Sequence, residues 1–298
     1  MLDIEDLTAL MHSWLIHLAA QHKSPETIKS YRKGVRQFLD WSQRHGVKPA
    51  LDTDTVSAFV ADLLDDGKAP STARLRQLAV RRFSAWLADE DEIDRDLLIG
   101  VKPPKLDVKV VDELDEDELR ALIKACSGKT LACKRDEAIV RLMSETGARA
   151  GEIVNMHTGD VDVIRGLAVI RRGKGAKGRH IPFGPATGAA IDRYLRARRR
   201  HRHADGPRLW LGEQSRGFTY DALYKSLKTR ARAAGIDRFH PHQLRHTWAS
   251  RWLTAGGSEQ GAMAVGGWSR RDMLDRYTQA TTEKRAADEA RRLGLGDL

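Results

Sequence analysis

Four short segments of this 298-residue sequence hold side chains suited to acting on a phosphate ester. In Thr146-Gly147-Ala148-Arg149-Ala150-Gly151-Glu152-Ile153 an arginine follows a helix-ending glycine. Lys174 lies in the glycine-rich turn Gly173-Lys174-Gly175-Ala176-Lys177-Gly178. The run Pro241-His242-Gln243-Leu244-Arg245-His246 puts His242 and Arg245 one helical turn apart on the same face. Gly266-Gly267-Trp268 is followed nine residues later by Tyr277. Two arginine forks, a lysine, a histidine and a phenol suit phosphodiester transesterification without a metal. Taken singly, each has a plainer reading: Arg149 as a surface salt bridge to Glu152, His242 as a helix cap, Tyr277 as a core aromatic.

Other chemistries lack their residues. Gly173-Lys174-Gly175 is no phosphate-binding P-loop, because neither Ser nor Thr follows the lysine and a hairpin, not a helix, comes next. His242 and His246 are spaced to face a zinc ion, but the H-E-x-x-H glutamate and a third ligand are missing, so no metal is expected. No G-x-S-x-G elbow marks a serine hydrolase. Cys126 and Cys133 are too few for a disulfide framework and poorly spaced for zinc, so both read as packed thiols.

The elements that must carry these residues read as mainly helical. Residues 1–98 give four helices. The first carries Leu7, Leu10, Met11, Trp14, Leu15 and Leu18 at helical spacing, and the second opens on Ser24-Pro25-Glu26-Thr27 as cap, first-turn proline and first-turn acid. A third runs from about Asp54 to Asp66, and a fourth follows Pro70-Ser71. Helices two and four turn basic residues outward: Lys29, Arg32, Lys33 and Arg36 on one, Arg74, Arg76, Arg81 and Arg82 on the other. Pro103-Pro104 begins an extended linker, with the boundary near 105–110. Beyond it, Asp115-Glu116-Asp117-Glu118 opens a helix whose dipole the acids complement. A helix from about 134 ends at Gly147, and a short one starts at Ala150. Strands alternate through 160–183, and helices are expected at 185–203, 219–234, 242–255 and 270–276, with a strand at Leu209–Leu211.

Charge separates the two halves. Residues 1–104 hold 14 basic and 16 acidic side chains, net −2, against 37 and 25 in residues 105–298, net +12. Residues 165–202 carry 12 basic residues and one acid, Asp192, a self-repelling cluster best explained by a polyanionic partner. With 41% hydrophobic and 31% charged residues, the chain should fold as a globular protein rather than stay disordered. No apolar run nears the roughly 18 residues of a membrane span, and the acidic N-terminus is unlike a signal peptide. A cytoplasmic protein without a membrane partner is expected.

In this order and spacing the four segments resemble the tyrosine recombinase (phage integrase) family. The resemblance extends over nearly the whole chain, including Ser24-Pro25-Glu26-Thr27-Ile28, Tyr31 and Phe38-Leu39-Asp40-Trp41 in the first half. It implies a mainly α fold with a small β-sheet: residues 1–104 a four-helix SAM-like core-binding domain, residues 105–298 an α+β catalytic domain with a C-terminal tail helix. It assigns the active site to Arg149, Lys174, His242, Arg245, Trp268 and Tyr277, with Glu152 behind them. Trp268 stands where many members have His, and Lys177 is a rival for Lys174. The implied reaction is site-specific cutting and rejoining of double-stranded DNA through a 3′-phosphotyrosyl link, needing no cofactor and carried out by a homotetramer on paired sites. Lys29, Arg32, Lys33, Arg36, Arg74, Arg76, Arg81, Arg171, Arg172, Lys177 and Arg179 are the expected phosphate contacts, with Gln77, Arg74 or Arg230 as candidates for reading base edges. A type IB topoisomerase-like enzyme and a non-catalytic DNA-binding relative are the alternatives.

Overall fold

The computed structural model describes residues 2–106, 112–171, 178–215, 217–271, 273–274 and 291. The chain divides into two compact units, Met1–Lys109 and Val110–Leu298. No helix among the described residues is long and apolar enough to cross a membrane.

The first unit is helical: α1 (Ile4–Ala20), α2 (Pro25–Arg44), α3 (Thr53–Asp65) and α4 (Pro70–Asp89). Three of them begin on side chains that satisfy otherwise unpaired N–H groups, as helix starts require. Asp3 and Asp6 form a capping box, Ser24 accepts from the Thr27 N–H ahead of Pro25, and Asp52 accepts from Thr55. The core gathers Leu7, Trp14, Val35, Phe38, Phe59, Val80, Phe83 and Leu87. Trp14 stacks on Tyr31 at 5.7 Å between ring centres and tilts against Phe83 at 5.2 Å. Gly34 is where α2 crosses α4, since a Cβ there would lie 2.4 Å from that of Ala79.

The crossing corrects the expected basic face of the fourth helix. α4 packs against α1, α2 and α3, so little of it faces solvent. Arg76 is buried at 7% exposure, Arg81 is half-buried, and Arg74 and Arg82 remain exposed. On α2, Lys29, Arg32, Lys33 and Arg36 are all exposed.

The second unit runs α5 (Glu116–Ala125), α6 (Leu131–Thr146), α7 (Ala150–Val154), β1 (Val161–Asp162), β2 (Leu167–Ile170), β3 (Arg179–Pro182), α8 (Pro185–Arg198), α9 (Tyr220–Ala233), α10 (His242–Thr254) and α11 (Glu259–Gly266). The strands form one antiparallel sheet in the order β1-β2-β3, with Ala168 opposite Ile181. Asp115 is the cap of α5, one residue before the expected first turn, and forms a capping box with Glu118. Two expectations fail. Leu209–Leu211 is no strand: an isolated bridge joins His157 to Arg208, and the Tyr194 hydroxyl donates to the Leu209 carbonyl and accepts from the Leu211 N–H. α11 is a helix the sequence reading lacks, because its eight residues include Gly261 and Gly266 and carry no strong periodicity. The expected helix at 270–276 and the C-terminal tail helix fall largely outside the described residues.

Cys126 is buried, which pushes its thiol up to about 12. Cys133 departs from the packed expectation. It is half-buried, and the Thr130 hydroxyl together with the Arg230 guanidinium holds its thiol below the ordinary value despite partial desolvation.

The α2–α4 crossing should tolerate nothing larger than hydrogen at position 34. Alanine gains about 1 kcal/mol of helix propensity over glycine, but forcing a methyl into a packed contact costs about 1–3 kcal/mol. Urea unfolding followed by tryptophan fluorescence should show Gly34→Ala less stable than the parent and Gly34→Leu less stable again. Equal or higher midpoints would mean the two helices separate freely.

Candidate active site

The site begins at the end of α6. Gly147 caps that helix in the left-handed region at φ 64°, its N–H donating to the Met143 carbonyl. A Cβ at 147 would meet the Trp248 ring at 2.1 Å, so conformation and space both demand glycine. The turn carries the chain into α7, with Arg149 as the residue before its first turn.

Glu152, at the third position of α7, folds back onto Arg149. Its Oε2 accepts from the Arg149 backbone N–H at 2.8 Å and its Oε1 from Arg149 Nη1 at 3.1 Å. Arg149 Nη2 reaches on to the Gly267 carbonyl at 3.3 Å. The predicted salt bridge therefore exists, and it does more than decorate a surface, because the Glu152 side chain is only 6% exposed. Burial alone would raise the Glu152 pKa, but hydrogen bonds and charge from Arg179 and Arg149 outweigh it and hold the carboxyl below its ordinary range.

α10 supplies the second guanidinium. Arg245 is 1% exposed, and its Nη1 donates to the Gly147 carbonyl at 2.6 Å and the Gly266 carbonyl at 2.7 Å. Its Cζ lies 4.4 Å from the centre of the Trp268 ring, within cation–π range. Trp268 is itself buried and packs on Trp248 at 5.6 Å. His242 opens α10 and is exposed, its ring edge-on to His246 at 4.4 Å. Among the described residues no group of three or more His, Cys, Asp or Glu is placed to hold a metal ion.

Arg149, Arg245, Trp268 and Glu152 thus converge on the turn Gly266–Trp268. Lys174 and Tyr277, with Arg172 and Lys177, lie outside the described residues. Arg171 is exposed, with its Nε hydrogen-bonded to Asp160.

Several expected DNA contacts are instead used internally. Arg179 is bidentate to Glu152, at 2.9 and 2.7 Å, and its Nε donates to the Val265 carbonyl at 2.7 Å. The signal for this was in the strand: alternation puts Arg179 on the same inward face as buried Ile181. Gln77 is buried and donates to the Lys102 carbonyl. Arg230 is bound to Asp136, Cys133 and the Ala125 carbonyl. Both side chains are thus engaged within the protein.

Residues 112–284 match the model of the phage integrase family, and residues 11–91 match that family's N-terminal SAM-like domain. The chain belongs to the phage integrase family. It is 30% identical to the tyrosine recombinase XerD of Corynebacterium glutamicum, over 92% of this chain and 94% of that one. The crystal structure of XerA recombinase is similar with a TM-score of 0.54 and 26% identity, over 94% and 99% of the two chains. A lambda integrase tetramer bound to a Holliday junction shares the fold with a TM-score of 0.69 at 17% identity, over 91% of this chain and 76% of that one. Phage integrase family membership carries with it DNA cleavage and rejoining through a catalytic tyrosine, and the topoisomerase and non-catalytic readings are not favoured.

The packing around Trp268 predicts a graded series. Trp268→Ala removes a buried aromatic, typically about 3–5 kcal/mol. Trp268→Phe keeps a ring under Arg245 and against Trp248 and should lose much less. Chemical denaturation of the two variants measures the difference. Equal stability of both with the parent would show that neither contact contributes.

Proposed function

We propose that this chain is a site-specific DNA recombinase in which Tyr277 attacks the scissile phosphate, with Arg149, Lys174, His242, Arg245 and Trp268 around it. One observation carries the reading furthest. Two arginines nearly a hundred residues apart in sequence are referenced to a single turn, Arg149 through the Gly267 carbonyl and Arg245 through the Gly266 carbonyl. Two guanidinium groups held that way suit the non-bridging oxygens of one phosphate, where charge builds in the transition state.

The chemistry balances without an outside energy source. Tyr277 forms a bond from its phenolic oxygen to phosphorus as the bond from phosphorus to the 5′ oxygen breaks. His242, exposed at the start of α10, accepts the phenolic proton or holds a phosphate oxygen. Lys174 gives a proton to the departing 5′ oxygen. Trp268 supplies an indole N–H and the ring beneath Arg245. One phosphodiester becomes a 3′-phosphotyrosyl diester and a free 5′-hydroxyl, so no ATP is needed. Attack by the 5′-hydroxyl of another strand reverses the step and exchanges partners.

On this reading residues 105–298 cut and rejoin while residues 1–104 help hold the duplex in the cytoplasm. The exposed row Lys29, Arg32, Lys33 and Arg36, with Arg74, Arg81 and Arg171, would meet phosphates. The tetrameric state of lambda integrase on its junction supports an assembly of four protomers here on paired sites.

Sequencing DNA trapped on the wild-type protein would define a site from which to build a nicked suicide duplex. On it, Tyr277→Phe should form no covalent adduct while keeping its DNA affinity, since only one hydroxyl is lost. Cleavage by the wild-type protein should persist in EDTA. Adduct formation by Tyr277→Phe, or a strict divalent-metal requirement for cleavage, would contradict the mechanism. Sedimentation on DNA carrying two sites should show four protomers, and a complex that never exceeds two would rule out the tetramer.

A further inference from the structure

We propose that Arg179 is a positioning residue for the reaction: it sets Arg149 through Glu152, and through the Val265 carbonyl it holds the Gly266–Trp268 turn to the same carboxylate. The proposal rests on the reading of Arg149 as a phosphate-binding residue.

A carboxylate offers about four acceptor directions on its two oxygens, and at Glu152 all four are taken. Oε1 accepts from Arg179 Nη1 and Arg149 Nη1, at 2.9 and 3.1 Å. Oε2 accepts from Arg179 Nη2 and the Arg149 backbone N–H, at 2.7 and 2.8 Å. Arg179 fixes the plane of the carboxylate with a two-pronged contact, and that plane fixes the direction in which Arg149 leaves α7. Its third group, Nε, bonds the Val265 carbonyl, two residues before the glycine whose own carbonyl receives Arg149 Nη2. One guanidinium from β3 therefore closes a ring through Glu152, Arg149 and the 265–267 backbone.

Arg179 commits all three of its guanidinium nitrogens to partners inside the protein. Its side chain is 10% exposed, and its fork lies against Gly267, which adopts φ 65°. A Cβ at 267 would sit 2.8 Å from Arg179 Nη1, so the turn passes the guanidinium only as glycine. Lysine at 179 would keep the charge but not the paired geometry or the bond to Val265.

The ring also sets how the site responds to acid. The charged groups facing Glu152 are Arg179 from β3 and Arg149 from the start of α7. With both present, burial is outweighed and the carboxyl is held below its ordinary range. Without Arg179, burial is opposed by Arg149 alone, so Glu152 takes up its proton at a higher pH. Once protonated it no longer orients Arg149 as an anion.

The test is single-turnover cleavage of the suicide duplex by the full-length protein. Arg179→Gln should cleave about a hundredfold more slowly, the scale of a small misplacement of a reacting group, with DNA affinity unchanged. Arg179→Lys should fall between it and wild type. The rate of Arg179→Gln should fall off toward acid from a higher pH than the wild-type rate does. In a Glu152→Gln background, adding Arg179→Gln should cost little more, because the carboxylate through which Arg179 acts is already gone. Should Arg179→Gln not fold by circular dichroism, Arg179→Lys carries the rate comparison and the Glu152→Gln comparison, and Arg179→Met the acid limb. Wild-type cleavage by the Arg179 variants, an unmoved acid limb, or an equal loss in the Glu152→Gln background would overturn the proposal. Arg149→Ala run alongside keeps the two readings apart, since wild-type cleavage by that variant overturns the reading of Arg149, whatever the Arg179 variants do.

Discussion

A guanidinium buried at Arg245 is the constraint on which the catalytic unit is organised. Removing such a cation from water costs several kcal/mol unless hydrogen bonds and an electron-rich neighbour replace the water. Arg245 finds two backbone carbonyls, of Gly147 and Gly266, and the face of Trp268. Those partners come from the end of α6, the end of α11 and the turn beyond it, so all three must meet around α10. Trp248 fills the space between them and would strike any side chain at Gly147 or Gly266. Arg149, two residues past Gly147 and bonded to Gly267, inherits its position from the same meeting point.

Much of the positive charge of this unit is spent internally in the same manner. Arg198 is buried and donates to the carbonyls of Ala204, Gly206, Arg208 and Leu209, which gives the chain after α8 its course. Arg135 bonds Asp136, the Leu211 carbonyl and Ser226, and its guanidinium lies 3.7 Å from the centre of the Phe218 ring. Asp136 also receives Ser226 and Arg230, which fastens α9 to α6. Arg193 and Arg196 pair with Glu137 and Asp192. The 37 basic residues of 105–298 therefore do not all face outward. The surface share lies on residues such as Arg199, Arg200, Arg202 and Arg208, all exposed.

The helical unit divides its labour by position in the packing. α2 buries Val35, Phe38 and Leu39 and keeps its opposite side for four basic residues, an amphipathic stripe with one apolar neighbour surface. α4 lies against three helices and keeps only a narrow free side, which holds Arg74 and Arg82 but leaves Arg76 and Gln77 enclosed. The same arginine-rich composition thus gives an open cationic row on one helix and an internal contact on the other.

Local chemistry was legible in the sequence wherever neighbours along the chain decide the outcome. Ser24 before Pro25 and Gly147 at the end of its helix follow from the hydrogen-bonding needs of helix ends. The Arg149–Glu152 pair, three residues apart, belongs to the same class. The order and spacing of the arginine, lysine, histidine, tryptophan and tyrosine segments sufficed for the family. Which arginines are free to meet DNA was not legible, because an arginine is equally at home in water or against a distant carbonyl. Arg179 meets Val265 across 86 residues and Arg230 meets Asp136 across 94, and no local pattern carries such a pairing. Leu209–Leu211 reads as a strand by its residues, yet the Tyr194 hydroxyl and Arg198 take several of its backbone groups, and among the described residues its pairing stops at the single bridge between His157 and Arg208. Side-chain type and local spacing determined which residues this protein offers for chemistry; only long-range packing decided which of them stand at the site and which hold it in place.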